Sequence, residues 1–169
     1  MNINWSTLVP GPGGISLPTY GNYGGPGYSN GEVLSSPNQS VDYSAPPVDG
    51  LDELFLFHDM AYESPSTLVR AEGDLALIQG IEELSSSSQL LPEESLYAGA
   101  AILFAIEQLT VANGHPELLS QSQLLAAANT SARNIQYGLT HLEPADAIGI
   151  RVWLAETGSG SFADLLPLG

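Results

Sequence analysis

Residues 96–109, LYAGAAILFAIEQL, carry a single carboxylate in fourteen positions. A helix of this composition is apolar nearly all round, so other elements have to cover it from several sides. That places it at the centre of a helical domain. Pro92-Glu93-Glu94 opens it, with proline in the first turn and acids at the positive end of the helix dipole. Asn113-Gly114 is a good stop. Uninterrupted apolar runs stay short of the roughly 18 residues that a membrane span needs.

The rest of the chain divides around this helix. Residues 1–48 are rich in Gly, Pro, Ser, Asn and Tyr and read as loop without helical period. Asp49 is an N-cap, with Asp52 and Glu53 in the first turn behind it, and predicts a helix to about Tyr62, before Ser64-Pro65. A second helix is expected from about Leu68 to Leu84, broken by the serines at 85–88. Further helices are expected at 116–128, 130–142 and 145–156, the last ended by Gly158-Ser159-Gly160. The expected fold is mostly α. It forms one domain over 1–169: a loop-rich segment at 1–48, a helix pair at 49–84 and C-terminal helices at 92–157.

Charge narrows the partners. The chain has 169 residues, 19 carboxylates against 3 cations, and a formal charge of -16. Lysine is absent, and only Arg70, Arg133 and Arg151 are basic. No basic patch is available for nucleic acid, and anionic lipid is disfavoured too. Divalent cations are the natural companions of such a surface. With no cysteine, disulfide and thiolate chemistry are excluded. The first residues, MNINWSTLVPGPGG, lack the basic and apolar blocks of a secretory signal. Asn38-Gln39-Ser40 and Asn129-Thr130-Ser131 match the glycosylation pattern. His115 and His141 lack metal-ligand spacing and read as surface or capping residues.

The chemistry concentrates in FLFHDMAYE, residues 55–63. Three histidines serve the whole chain, and one of them stands beside an aspartate among phenylalanines. On a helix, His58, Asp59 and Tyr62 share one inward face with Leu54 and Phe55. A neutral imidazole tolerates that face. A bare carboxylate needs a partner or a metal. Leu56, Phe57 and Met60 read as core. Upstream, YGGPG at 23–27 has three glycines and a proline, and glycine lets the backbone turn its carbonyls inward. Calcium takes six to eight oxygens, and carbonyls serve well.

H-D-x-x-Y preceded by Y-x-G-x-G resembles the phospholipase A2 family, most closely its cysteine-free branch in parvovirus capsid proteins. Tyr23-Gly24-Gly25-Pro26-Gly27 and Pro47-Val48-Asp49-Gly50-Leu51-Asp52 stand at similar spacing before His58. The resemblance covers roughly residues 20–84. It implies a two-helix catalytic core, with Tyr23, Gly25 and Gly27 as carbonyl ligands of calcium and Asp59 as the carboxylate ligand. His58 is then the general base, Tyr62 bonds the acid that orients it, and the Gly25 amide adds a donor at the oxyanion. Asp74 in EGDLALI matches the orienting acid. Glu63 and Glu72 are the other candidates, but Asp74 shares the packed side of its helix with Ala71, Leu77 and Ile78, whereas Glu72 faces away and Glu63 lies about 140° from His58 on the same helix. A direct bond between Asp74 and His58 is therefore expected. Here the chain departs from its relatives, with an insertion at Tyr28 to Pro46, expected as a flap, and a shorter link from His58 to Asp74.

The expected activity is calcium-dependent hydrolysis of a phospholipid acyl ester, at sn-2 by resemblance, on a membrane or micelle surface. Extracellular calcium suits weak sites of about 0.1–1 mM, so a secreted protein, or a domain of a longer exported one, is expected. The competing reading is a non-catalytic calcium-binding module of a secreted adhesin or toxin. It keeps the loop and Asp59 and has no use for His58.

Overall fold

The computed structural model describes residues 2–11, 14–36, 39–87 and 90–156. Its elements are β1 (Ile3–Pro10), β2 (Ser16–Tyr20), β3 (Tyr28–Ser29), β4 (Glu32–Val33), α1 (Gly50–Tyr62), α2 (Thr67–Ser87), α3 (Pro92–Glu107), α4 (Gln121–His141) and α5 (Pro144–Glu156). A π-helical turn, Gln108–Ala112, continues α3, and a 3-10 turn at Pro116–Leu118 precedes α4. The fold is mostly α, as expected.

The core is the apolar helix and what covers it. Ala98, Ala101, Ile102, Ala105 and Leu109 are buried against α2 and α4. By length and composition alone, Pro92–Ala112 could cross a membrane. Here one side of it, with Leu51, Phe55, Ile78 and Ile81 from α1 and α2, forms the core, whereas Leu103 and Val111 on its other side are exposed, so the helix is not covered all round.

Several expectations fail. Residues 1–48 are not simply loop: β1 and β2 pair antiparallel, and β3 pairs with β4. The strand pattern is hidden by an irregularity between Asn4 and Leu8, where the Asn4 side chain accepts from Ser6 N and Thr7 N, and by Pro18 within β2. Second, the expected helices at 116–128 and 130–142 are one helix, α4, preceded by a short 3-10 turn. The polar run around Asn129 does not break it, because Thr130, Ser131 and Asn134 bury small polar groups against neighbours. Ser131 Oγ donates to the Gly99 carbonyl at 2.7 Å, and Asn134 donates to Ser85 Oγ at 2.9 Å. Asn129 itself is exposed on α4. The serine run does not stop α2 at Leu84 either, since the helix reaches Ser87. Ser88, Asn38 and the stop at Gly158-Ser159-Gly160 lie outside the described residues.

The N-terminal expectations for α1 hold. Asp49 Oδ1 accepts from Asp52 N at 2.9 Å, the bond of an N-cap. The helix presents Leu51, Phe55, His58 and Tyr62 as one stripe toward α2. Phe57 and Met60 lie off that stripe. They are 57% and 43% exposed, which corrects their reading as core.

The α1–α2 pair packs very closely. A Cβ on Gly73 would lie 2.6 Å from the Ala61 Cβ. Gly73 therefore sets the spacing at which Asp74, the next residue, meets α1. Gly73→Ala gains about 1 kcal/mol of helix propensity but overpacks the contact by about 1–3 kcal/mol. We expect a net loss of about 1 kcal/mol in urea unfolding. Adding Ala61→Gly should relieve the overpacking, leaving a coupling of about 1 kcal/mol or more in the double-mutant cycle; strict additivity would show that the contact does not set the spacing.

Candidate active site

α1 also carries a second stripe, Asp52 and Asp59, aimed at the glycine-rich segment. Asp52 is fully buried. Its carboxylate accepts from Asn22 N at 3.0 and 3.1 Å, Tyr23 N at 2.9 Å and Val48 N at 3.0 Å. Burial pushes its carboxyl up, and these amides oppose the shift. Gly21, at φ 52, passes so close that a Cβ would sit 2.4 Å from the Asp52 carboxyl carbon. In the sequence Asp52 stands only as a first-turn acid within the family spacing. The structure makes it the clamp that fastens the loop to α1.

The loop is held on its other sides too. Tyr97 of α3 donates to the Pro18 and Gly24 carbonyls, each at 3.0 Å, and packs against Tyr20 and Phe55. Gly25 has φ 146 and Gly27 has φ 64. Both lie in the region that favours glycine. The Gly25 carbonyl accepts from Tyr28 N at 3.1 Å and the Gly27 carbonyl from Leu34 N at 2.8 Å. Each oxygen keeps a second lone pair. Residues 43–46 fold back onto this loop. Tyr43 stacks on Tyr23, Tyr23 OH donates to the Ala45 carbonyl at 2.6 Å, and Asn22 Nδ2 donates to the Pro46 carbonyl at 2.8 Å.

Asp59 stands two turns beyond Asp52 on α1. Its Oδ2 is buried without a hydrogen-bond partner among the described residues, as are Ser29 Oγ and Thr19 Oγ1. Burial pushes the Asp59 carboxyl up to about 8; the Ser29 hydroxyl beside it lowers it, and the Asp52 charge raises it further. An orphaned carboxylate oxygen beside Ser29, two residues past the glycine-rich loop, would suit a hard cation. Among the described residues no three His, Cys, Asp or Glu side chains converge on a metal position. A cation here would rest on Asp59 and on the main-chain carbonyls of Tyr23, Gly25 and Gly27.

On the first stripe, His58 Nε2 lies 2.8 Å from Asp74 Oδ1. Asp74 is fully buried, within an α2 stripe of Ala71, Ile78 and Ile81, and the His58 side chain is 12% exposed. Tyr62 OH donates to Asp74 Oδ1 at 2.9 Å and Oδ2 at 3.1 Å. Burial and the Asp74 charge push the Tyr62 hydroxyl up, so it stays a donor. The carboxylate accepts from Nε2–H, which leaves Nδ1 as the basic nitrogen. Nδ1 has no partner among the described residues. Beside the ring opens a cleft of about 450 Å³ with apolar walls from Leu54, Phe57, Ala61, Ala76 and Leu77. Glu72 lines this cleft without bonding His58, and Glu63 is exposed. Of the three candidate acids, the ring is bonded to Asp74.

In the sequence Asn113 is only a helix stop. It is that, followed by Gly114 at φ 74, but its Nδ2 also donates to Asp74 Oδ2 at 2.8 Å. Nothing local in the sequence marks it, because it lies 39 positions beyond Asp74. His115 bonds Glu117 at 2.8 Å and Thr67 at 3.1 Å, and His141 bonds its own helix, both away from this cluster.

Asp59 makes a pH prediction for the calcium-free protein. Its folded-state carboxyl, at about 8, lies above the ordinary value of about 3.9. The folded form therefore holds a proton that the unfolded chain releases. This contribution to stability is full below about pH 4 and is lost as pH rises to about 8. In chelator, Asp59→Asn should gain stability relative to the parent across that window, read from urea midpoints; a difference independent of pH would remove the burial argument. No family model matches the chain, and no curated protein or solved structure matches it.

Proposed function

We propose that the protein is a calcium-dependent phospholipase A2-like hydrolase of fatty-acyl esters. One observation carries the reading: Asp74, itself bonded by Tyr62, holds His58 by Nε2 and leaves Nδ1 bare, on the same helix that carries an orphaned Asp59 oxygen. A calcium-binding module without catalysis would leave the His58–Asp74–Tyr62 arrangement without a purpose.

In this reading His58 Nδ1 takes a proton from water, and the water oxygen forms a bond to the ester carbonyl carbon. Asp74 keeps the proton on Nε2 and stabilises the imidazolium that forms. When the C–O bond breaks, His58 returns its proton to the departing alkoxide. No covalent enzyme intermediate is required. Asp59, with the carbonyls of Tyr23, Gly25 and Gly27, would hold calcium, which supplies polarisation of the carbonyl and stabilisation of the oxyanion together with the Gly25 amide. The apolar cleft suits an acyl chain, and exposed Phe57 and Met60 suit contact with a membrane or micelle surface. Secretion follows from the calcium requirement, since the site has few charged ligands and needs extracellular concentrations.

Fatty-acid release from mixed micelles, with calcium or chelator, tests the reading. His58→Gln should lose about 100-fold or more in rate while remaining folded. Near-parental activity in this variant would end the proposal. Calcium affinity, followed by titration calorimetry, should drop in Asp59→Asn and persist in Asp74→Asn. Magnesium should not substitute, since it demands a tighter octahedron; unchanged affinity in Asp59→Asn would place the metal elsewhere.

A further inference from the structure

Asp74 is a fully buried carboxylate at the centre of the site, and its orientation decides where the imidazole proton sits. Rotation about the last side-chain torsion of an aspartate is soft and nearly two-fold. His58 and Tyr62 both reach Oδ1, at 2.8 and 2.9 Å, while Tyr62 reaches Oδ2 only at 3.1 Å. The short bond to Oδ2 comes from Asn113, at 2.8 Å. It fixes the carboxylate against rotation.

Asn113 has its own orientation problem, because its amide could present either nitrogen or oxygen. Arg70 resolves it. Arg70 Nε donates to Asn113 Oδ1 at 3.0 Å, and Arg70 Nη1 donates to the Ser64 carbonyl at 3.2 Å. With the oxygen occupied, both amide protons point inward, one to Asp74 Oδ2 and the other to Tyr62 OH at 3.0 Å. A flipped amide would set its nitrogen against the guanidinium and its oxygen against a carboxylate. The Tyr62 hydroxyl, accepting from Asn113, is in turn left to donate to Asp74. In a chain with 3 cations and no lysine, one cation stands at this position.

We propose that Asn113 and Arg70 are positioning residues of the hydrolytic site: Arg70 sets the amide, and the amide sets Asp74 and hence the tautomer of His58. The inference rests on the hydrolase reading for its kinetic consequence only, since the tautomer can be read without turnover.

Two variants test it, Asn113→Ala and Arg70→Met, the second keeping the apolar stem and removing the fork. Ring nitrogen shifts of His58, recorded by NMR at alkaline pH where they no longer change with pH, should show one tautomer in the parent, with the proton on Nε2. In both variants they should move toward a mixture. On phosphatidylcholine micelles with calcium, kcat should fall about 10–100-fold, as removal of groups that orient a reacting side chain commonly does. KM should stay within about twofold and calcium affinity should be unchanged. A folded variant with the parental tautomer and parental kcat overturns the proposal. Should Asn113→Ala fail to fold, Arg70→Met carries the same readouts. If the parent protein hydrolyses no ester, the hydrolase reading fails, and the ring shifts alone then support or overturn the positioning role.

Discussion

The carboxylate of Asp52 is the interaction on which the arrangement of the site depends. It is placed in the first turn of α1 by the Asp49 cap, and it gathers the amides of Asn22, Tyr23 and Val48. Without it, three buried or half-buried N–H groups would lack an acceptor, at about 1–3 kcal/mol each. More consequential is the geometry. The clamp brings a glycine-rich loop, from a part of the chain with little regular structure, to a fixed height on α1. Asp59, two turns further along, then stands beside Ser29, just past the same loop.

Three aspartates near the site are buried by different means, and the differences correspond to different duties. Asp52 is satisfied by main-chain donors and serves architecture. Asp74 is satisfied by side chains from α1 and from the end of the π turn, which makes it rigid yet responsive to the imidazole. Asp59 alone of the three retains a buried oxygen without a partner among the described residues. Unsatisfied polar atoms are few in folded proteins, and each asks for a cause. In the proposed reading a divalent cation would be that cause, and it would offset the burial that raises the Asp59 carboxyl.

Local chemistry is legible in the sequence wherever one residue does one job. The Asp49 cap, the Pro92 start and the Asn113-Gly114 stop all stand where expected. Helical phase places Asp74 inward, and the structure finds it bonded to His58. What escapes detection depends on contacts distant in sequence. The β1–β2 hairpin is masked by a side-chain-supported irregularity and a proline. The continuity of α4 relies on small polar residues that look like a break until a facing helix receives them. Asn113 is 39 positions from the carboxylate it serves, and no periodicity reaches that far. Phe57 and Met60 mislead because apolar character alone does not tell which side of a helix faces inward.

The π turn at Gln108–Ala112 bears on how the site answers a change in chain length. Such a turn holds a residue more than an α-helix would at the same rise. A residue lost from a regular helix turns everything that follows by about 100°. A residue lost from the π turn lets α3 continue as regular helix instead and leaves Asn113 close to its place, still facing Asp74. The surplus residue is thus a reserve of length, kept on the stretch of chain that delivers the amide to the buried carboxylate.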